Sequence, residues 1–235
     1  MKATIPHQRE RRAILGGIPT SAREVVSERF LDGSKKEAEY FLRGRKVGAR
    51  SWYENGQLAD ERRFRNGRLH GIVREWHPNG QPLSQTSYRF GREHGVARQW
   101  NPRGRLLGTY RMKHGTGVDL WWKYDGSLAE EHHWRNGRPH GLERWWWSRR
   151  WLSEERRWHH GVLHGIWRQW WAGKLRRGFP QFYLDGRKVS KARYLHAAAR
   201  HAGLPQYDPK EDRPVRRDGP GRSMAERQRR GLRGR

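Results

Sequence analysis

Between residues 41 and 189, apolar and polar positions alternate with period two in short runs. Leu58, Asp60, Arg62 and Phe64 share one face of a run, and Ile72, Arg74 and Trp76 share a face of the next. Turn signals separate the runs: Asn55-Gly56, Asn66-Gly67, Asn79-Gly80 and Asp125-Gly126. Asn-Gly and Asp-Gly supply the positive φ that a type I′ hairpin turn requires at both central residues. No stretch in 41–189 has helical periodicity. The pattern predicts successive strand–turn–strand units.

The units are copies of one another. They open at Phe41, Phe64, Tyr88, Tyr110, Trp134, Trp158 and Tyr183, at intervals of 23, 24, 22, 24, 24 and 25 residues. A turn glycine follows (Gly44, Gly67, Gly91, Gly137, Gly161, Gly186), then a second glycine, then a tryptophan: Trp52, Trp76, Trp100, Trp122, Trp146 or Trp170. The unit at Tyr110 departs, with Lys113 at the first glycine position and glycines at 115 and 117. A hairpin cannot bury its apolar face alone, so consecutive hairpins must stack edge to edge. The expected fold is all-β: an elongated single-sheet array of antiparallel β-hairpins over residues 24–190. Residues 1–23 read as a flexible arm. Ser190–Gly203 reads as a capping helix with Ser190 as N-cap, Tyr194 and Leu195 packing it, and Gly203 and Pro205 ending it by residue 204. Residues 205–235 read as a disordered basic tail.

Composition changes this picture in two ways. Hydrophobic residues make up 33% of the chain, yet there are 14 tryptophans, which suits a thin layer of large flat rings. The net charge is +27, with six basic against three acidic residues in 1–29 and ten against five in 205–235, leaving +19 in the repeat body, residues 30–204. That basicity bears on anionic partners rather than on fold. There is no cysteine, which excludes disulfides and thiolate metal sites. No apolar run is long enough to span a bilayer as a helix, and no secretory h-region opens the chain. The default expectation is a cytoplasmic protein.

The pattern aromatic–xx–Gly–xxx–Gly–x4–Trp–x2–Asn–Gly, seen at its fullest in Trp52-Tyr53-Glu54-Asn55-Gly56 and Trp76-His77-Pro78-Asn79-Gly80, resembles the MORN-repeat variant family over Phe30 to Ser190. The resemblance implies a non-catalytic hairpin array that serves as an interaction surface. It brings no catalytic residue and no cofactor. Many bacterial members are antitoxin components of toxin–antitoxin systems, and other MORN arrays act as protein- or phospholipid-binding scaffolds. The expected function is therefore non-enzymatic binding of a protein partner, with an antitoxin-like role as its specific form. The alternative is binding of nucleic acid or acidic phospholipid through an Arg/Trp-rich face.

Four groups of side chains are candidates for chemistry. Arg50, Arg74, Arg98, Arg144 and Arg168 stand two residues before each tryptophan, with Leu120 as the exception, so period two sets them on the tryptophan face. They form either a guanidinium ladder for phosphates and bases or a packing column paired across strands with Asp60, Glu130 or Glu154, the acids that alternation places with Leu58, Leu128 and Leu152. Adjacent tryptophans must point to opposite faces, which makes Trp121, Trp145, Trp167 and Trp171 candidates for an exposed partner-binding face with Arg74, Arg98, Arg144 and Arg168. His70, His94, His140 and His164 recur at one phase, two strands apart, roughly 9–10 Å. That is too far for shared ligation to one zinc, so they read as hydrogen-bonded turn residues. The doublets His132-His133 and His159-His160, split across faces by alternation, do not form two-ligand sites.

Overall fold

The computed structural model describes residues 17–214. Most of the expected arm and tail, residues 1–16 and 215–235, lies outside that range. The described chain is antiparallel β-structure with one short helix near its C-terminal end, in two compact units divided at Thr116/Gly117. That division falls in the repeat whose glycine spacing departs from the others.

In the first unit the strands are β1 (Arg23–Arg29), β2 (Lys35–Leu42), β3 (Arg45–Trp52), β4 (Leu58–Arg65), β5 (Arg68–Leu69), β6 (Gly71–Trp76), β7 (Pro82–Arg89), β8 (Arg92–Glu93), β9 (Gly95–Trp100) and β10 (Leu106–Lys113). The strands pair antiparallel in chain order, with the short β5 and β6 both pairing to β4, and the short β8 and β9 both pairing to β7. Ile18, in the segment expected to be loose, is buried with Ala38 and Tyr40. Its Cδ1 lies 2.3 Å from where a Cβ on Gly48 would stand, so glycine there makes room for this contact.

In the second unit the strands are β11 (Thr116–Trp122), β12 (Leu128–Arg135), β13 (Arg138–Trp146), β14 (Leu152–His159), β15 (Val162–Leu163), β16 (Gly165–Trp171), β17 (Lys174–Leu175), β18 (Gln181–Leu184) and β19 (Arg187–Val189), again an antiparallel meander. Helix α1 (Lys191–Ala198) starts at Ser190, whose side chain accepts from the Arg193 amide at 3.3 Å. It ends earlier than expected, at Ala198. Tyr194 is fully buried, but Leu195 turns to solvent at 38% exposure.

In the first unit the two turns of a repeat differ. At Asn66-Gly67 both φ values are positive, 51° and 72°, the type I′ geometry expected. At Asn55-Gly56 only the glycine is left-handed. There the Tyr53 amide donates to the Gln57 carbonyl, the Gly56 amide donates to the Tyr53 carbonyl, and Asn55 Oδ1 accepts from the Gln57 amide. This is a type I turn closed by a glycine bulge, so Asn-Gly here supplies an Asx bond and one positive φ rather than two.

A second regular irregularity overturns part of the face assignment. Ser51 pairs with Asp60, but Trp52 pairs with Leu58, leaving Ala59 as an extra residue. The same skip follows Trp76 and Trp100 in the first unit, and Trp122 and Trp146 in the second. A bulge of this kind interrupts strict alternation. Leu58, Leu128 and Leu152 therefore join the tryptophan face, while Asp60, Glu130 and Glu154 lie on the opposite one. The core cluster of Trp146, Leu152 and Trp170 is the direct consequence.

Candidate functional site

The arginine column is on the tryptophan face, but its partners are not the expected acids. Alternation beyond the bulge puts Glu61 and Glu155 opposite the arginines. Glu61, buried, accepts from Arg50 Nε at 2.9 Å and Nη2 at 2.6 Å, and from Arg74 Nη1 at 3.1 Å. In the second unit Glu155, also buried, accepts from Arg144 Nε at 2.7 Å and from Arg168 Nη1 at 3.4 Å. Each glutamate thus bridges two arginines from flanking strands. Arg98 differs: it faces Gln85 and Thr109, not carboxylates. Asp60 and Glu154 bond instead to Arg62 and Arg156 on their own strands, and Glu130 to His132.

Arg168 is wholly buried because the chain folds back over it. Asp212 accepts from its Nε at 3.0 Å, Glu211 lies 3.1 Å from its Nη2, and the Asp212 carbonyl accepts from Trp170 Nε1 at 2.6 Å. Those acids belong to a short 3₁₀ turn, Pro209–Asp212. Tyr207 packs on Phe182 and donates to Asp212, while Tyr194 donates to the Pro205 carbonyl. Residues 205–214, placed in the disordered tail from their Pro and charge content, are a docked cap. Their acids neutralise a buried cation that composition alone does not reveal.

The four candidate tryptophans do not share one environment. Trp145 and Trp167 are half-buried and sandwich the Arg156 guanidinium, 4.8 and 4.6 Å from the two ring centres. Glu154 accepts from both Arg156 and Trp167 Nε1. This is a closed stack, with Trp167 also against Phe179 and Tyr183. Trp121 and Trp171 are exposed, at 39% and 65%. Sequence reasoning missed Trp147, which is 66% exposed and meets Trp171 edge-on with ring centres 5.2 Å apart. The signal was present in the repeat. The residue after the column tryptophan is Tyr53, His77, Asn101 or Lys123 elsewhere. Tyr53, His77 and Lys123 reach carbonyls of the next hairpin, at Trp76, Trp100 and Trp147, while Asn101 Oδ1 accepts from the Arg103 and Arg105 amides of its own turn. At 147 and 171 an indole stands in this polar position.

The histidine column behaves as turn chemistry. The Nδ1 atoms of His70, His94, His140 and His164 accept from the amides of Phe90, His114, His160 and Asp185, at 3.1–3.5 Å. Each is thus stapled to the turn of the next hairpin, some twenty residues on. Burial, then the charges of His114, Arg89, Arg111 and Lys113, hold the His94 pKa below its usual value. His132 and His133 do point to opposite faces, to Glu143 with Glu130 and to Glu131. Burial alone would lower the His132 pKa, but hydrogen bonds to Glu143 and Glu130 outweigh it and push the value up to about 9.

These opposite shifts have opposite signs for stability. His132 contributes stability that is fully present below its unfolded value near 6.5 and is lost as pH rises through about 9. His94 contributes stability that is present above 6.5 and lost as pH falls through its lowered folded value. In an NMR titration the His132 ring should titrate near 9 and the His94 ring below the usual 6.5. Coincident titration of both near 6.5 would refute the pairing.

Two adjacent segments, residues 49–66 and 69–89, match the MORN repeat variant family model. No curated protein matches the chain. The match supports a MORN-type repeat protein, and such repeats are generally non-catalytic interaction modules. Among the described residues no helix is long and apolar enough to cross a membrane. A concavity near the cap is lined by Pro180, Phe182, Val189 and Tyr207 with Lys188 and Lys191. It brings no carboxylate to those lysines.

Proposed function

We propose that this chain is a non-enzymatic MORN-repeat scaffold that binds a protein partner, with Trp147 and Trp171 as its anchor. The observation that carries this reading is their mutual contact at 66% and 65% exposure. An exposed aromatic pair flanked by exposed Arg149 and Arg150 has the composition of a binding hot spot. Arg50, Arg74, Arg144 and Arg168 are engaged by internal carboxylates, which favours the packing role for the column over a ligand ladder. An antitoxin-like role, in which the array occludes a protein toxin, is the specific form of this proposal. Binding of nucleic acid or acidic phospholipid is the second reading, favoured by the +27 charge and by Arg98, which faces no acid.

The test is capture from source cells by the tagged chain, compared with Trp147→Ser/Trp171→Ser. The wild type should retain a stoichiometric protein partner that the double variant loses while keeping its circular-dichroism spectrum. A folded variant that retains every partner refutes the patch. Growth rescue on co-expression with the captured protein would support the toxin form, and failure of rescue would remove it. Uptake of DNA or anionic vesicles that falls steeply with salt, and no protein partner, would establish the second reading instead.

A further inference from the structure

We propose that His140, His159 and His160 form a site for a divalent transition metal, with zinc as the matching ion and one coordination position open to solvent. One ligand atom from each ring lies within 4.8 Å of the others, and the ring centres are 4.3–5.1 Å apart. Imidazole nitrogen is a preferred zinc donor, and three protein ligands plus one open position is a common zinc arrangement.

The cluster arises from the repeat itself. His140 on β13 reaches the next turn, as every histidine of its column does. His159 ends β14, and His160 occupies the first left-handed position of the turn, φ 51°. Alternation separates adjacent side chains only within a strand. Beyond the strand end His160 swings to the side of His159, which is why the doublet fails the expectation made for it. The spacing His140-x19-His160 is the sequence signal. The first unit offers an internal contrast: His94 meets His114 by the same spacing, with ring centres 4.2 Å apart, but Lys113 stands where His159 does. Two imidazoles and an ammonium make no metal site.

Closure needs modest movement. Ligand nitrogens around a tetrahedral zinc stand roughly 3.3 Å apart for bonds of ~2.0–2.1 Å. His159 and His160 are exposed, so their rings can turn toward the half-buried His140. His140 Nδ1 accepts the His160 amide at 3.4 Å, a long hydrogen bond. Either route gives up that amide bond: zinc takes its place at Nδ1, or binds Nε2 while the ring proton moves to Nδ1, which then no longer accepts from the His160 amide. His164, whose ring is next nearest to His159, is held by Asp185 and is not counted among the ligands.

The experiment titrates the full chain with zinc against a chromophoric chelator, and repeats it with His140→Ala, His159→Gln/His160→Asn and His94→Ala. Asparagine tolerates the left-handed backbone at 160, and thermal melts without metal verify folding. The wild type and His94→Ala should bind one zinc with a rise in melting temperature. Loss of groups that merely support a ligand costs 10–100-fold, so loss of ligands should weaken binding by at least about tenfold and abolish the rise. Absence of stoichiometric zinc binding by the wild type would overturn the proposal. So would unchanged binding by folded His159→Gln/His160→Asn, which would assign the zinc to other histidines among the 13.

Discussion

Arg168→Met should destabilise the second unit by about 3–5 kcal/mol, the cost typical of removing one partner from a buried ion pair. Methionine keeps much of the volume, so the loss is chiefly that of charge. It leaves Glu155, 6% exposed, with Arg144 alone, and leaves Asp212 and Glu211 facing an apolar side chain. Because Asp212 also takes the Tyr207 hydroxyl, and its carbonyl takes Trp170 Nε1, the cap should loosen together with the pair. The urea midpoint should fall by about 1–5 M for a slope of about 1–3 kcal/mol/M. Amide exchange over residues 205–214 should accelerate. A cycle with Asp212→Asn should show coupling of about 0.5–3 kcal/mol. A single variant within about 0.5 kcal/mol of wild type, the range of ordinary surface changes, would mean that the cluster stabilises nothing on balance.

The buried arginine also marks where sequence reasoning stops. Turn positions, hairpin phase, the tryptophan column and the shared face of Arg74 with Trp76 were legible, because each follows from local backbone geometry repeated many times. The carboxylate partners were not. An extra residue after Trp52 or Trp146 reverses the face of everything beyond it, and no residue type at Ala59 or Ser153 announces a bulge. The docked cap escaped for a different reason. Its Pro- and charge-rich composition is that of a solvated tail, and its acids gain a role only against a cation 44 residues away at Arg168. Trp147 and the His140–His159–His160 cluster were within reach. Aligning the residue after each column tryptophan shows polar residues giving way to indole, and aligning residues some twenty apart shows each column histidine meeting the next turn. Both clues lie between repeats rather than within one.

Gly165→Ala should be nearly as damaging, for a reason that combines backbone and packing. Gly165 sits at φ 142°, outside the regions that residues with a Cβ favour, and holding alanine there costs about 1–3 kcal/mol. Its new Cβ would stand 2.8 Å from the Arg157 Cβ and 3.4 Å from the Pro205 Cγ. The Arg157 Cβ is fixed to a paired strand and cannot swing aside as a side-chain end could, so overpacking adds about 1–3 kcal/mol. The neighbouring turn glycine serves as the comparison. Gly161 is also left-handed, at φ 90°, but a Cβ there meets nothing within 4 Å. Gly161→Ala should therefore show a backbone cost without a clash, and the excess loss of Gly165→Ala, measured by urea unfolding, reports the contact with β14 and the cap together with the less tolerated φ at 165. Equal losses would mean that β14 and Pro205 yield without cost. A larger loss at 165, with faster amide exchange at Pro205-flanking Gln206 and Tyr207, would show that the glycine is retained because the cap closes directly over it.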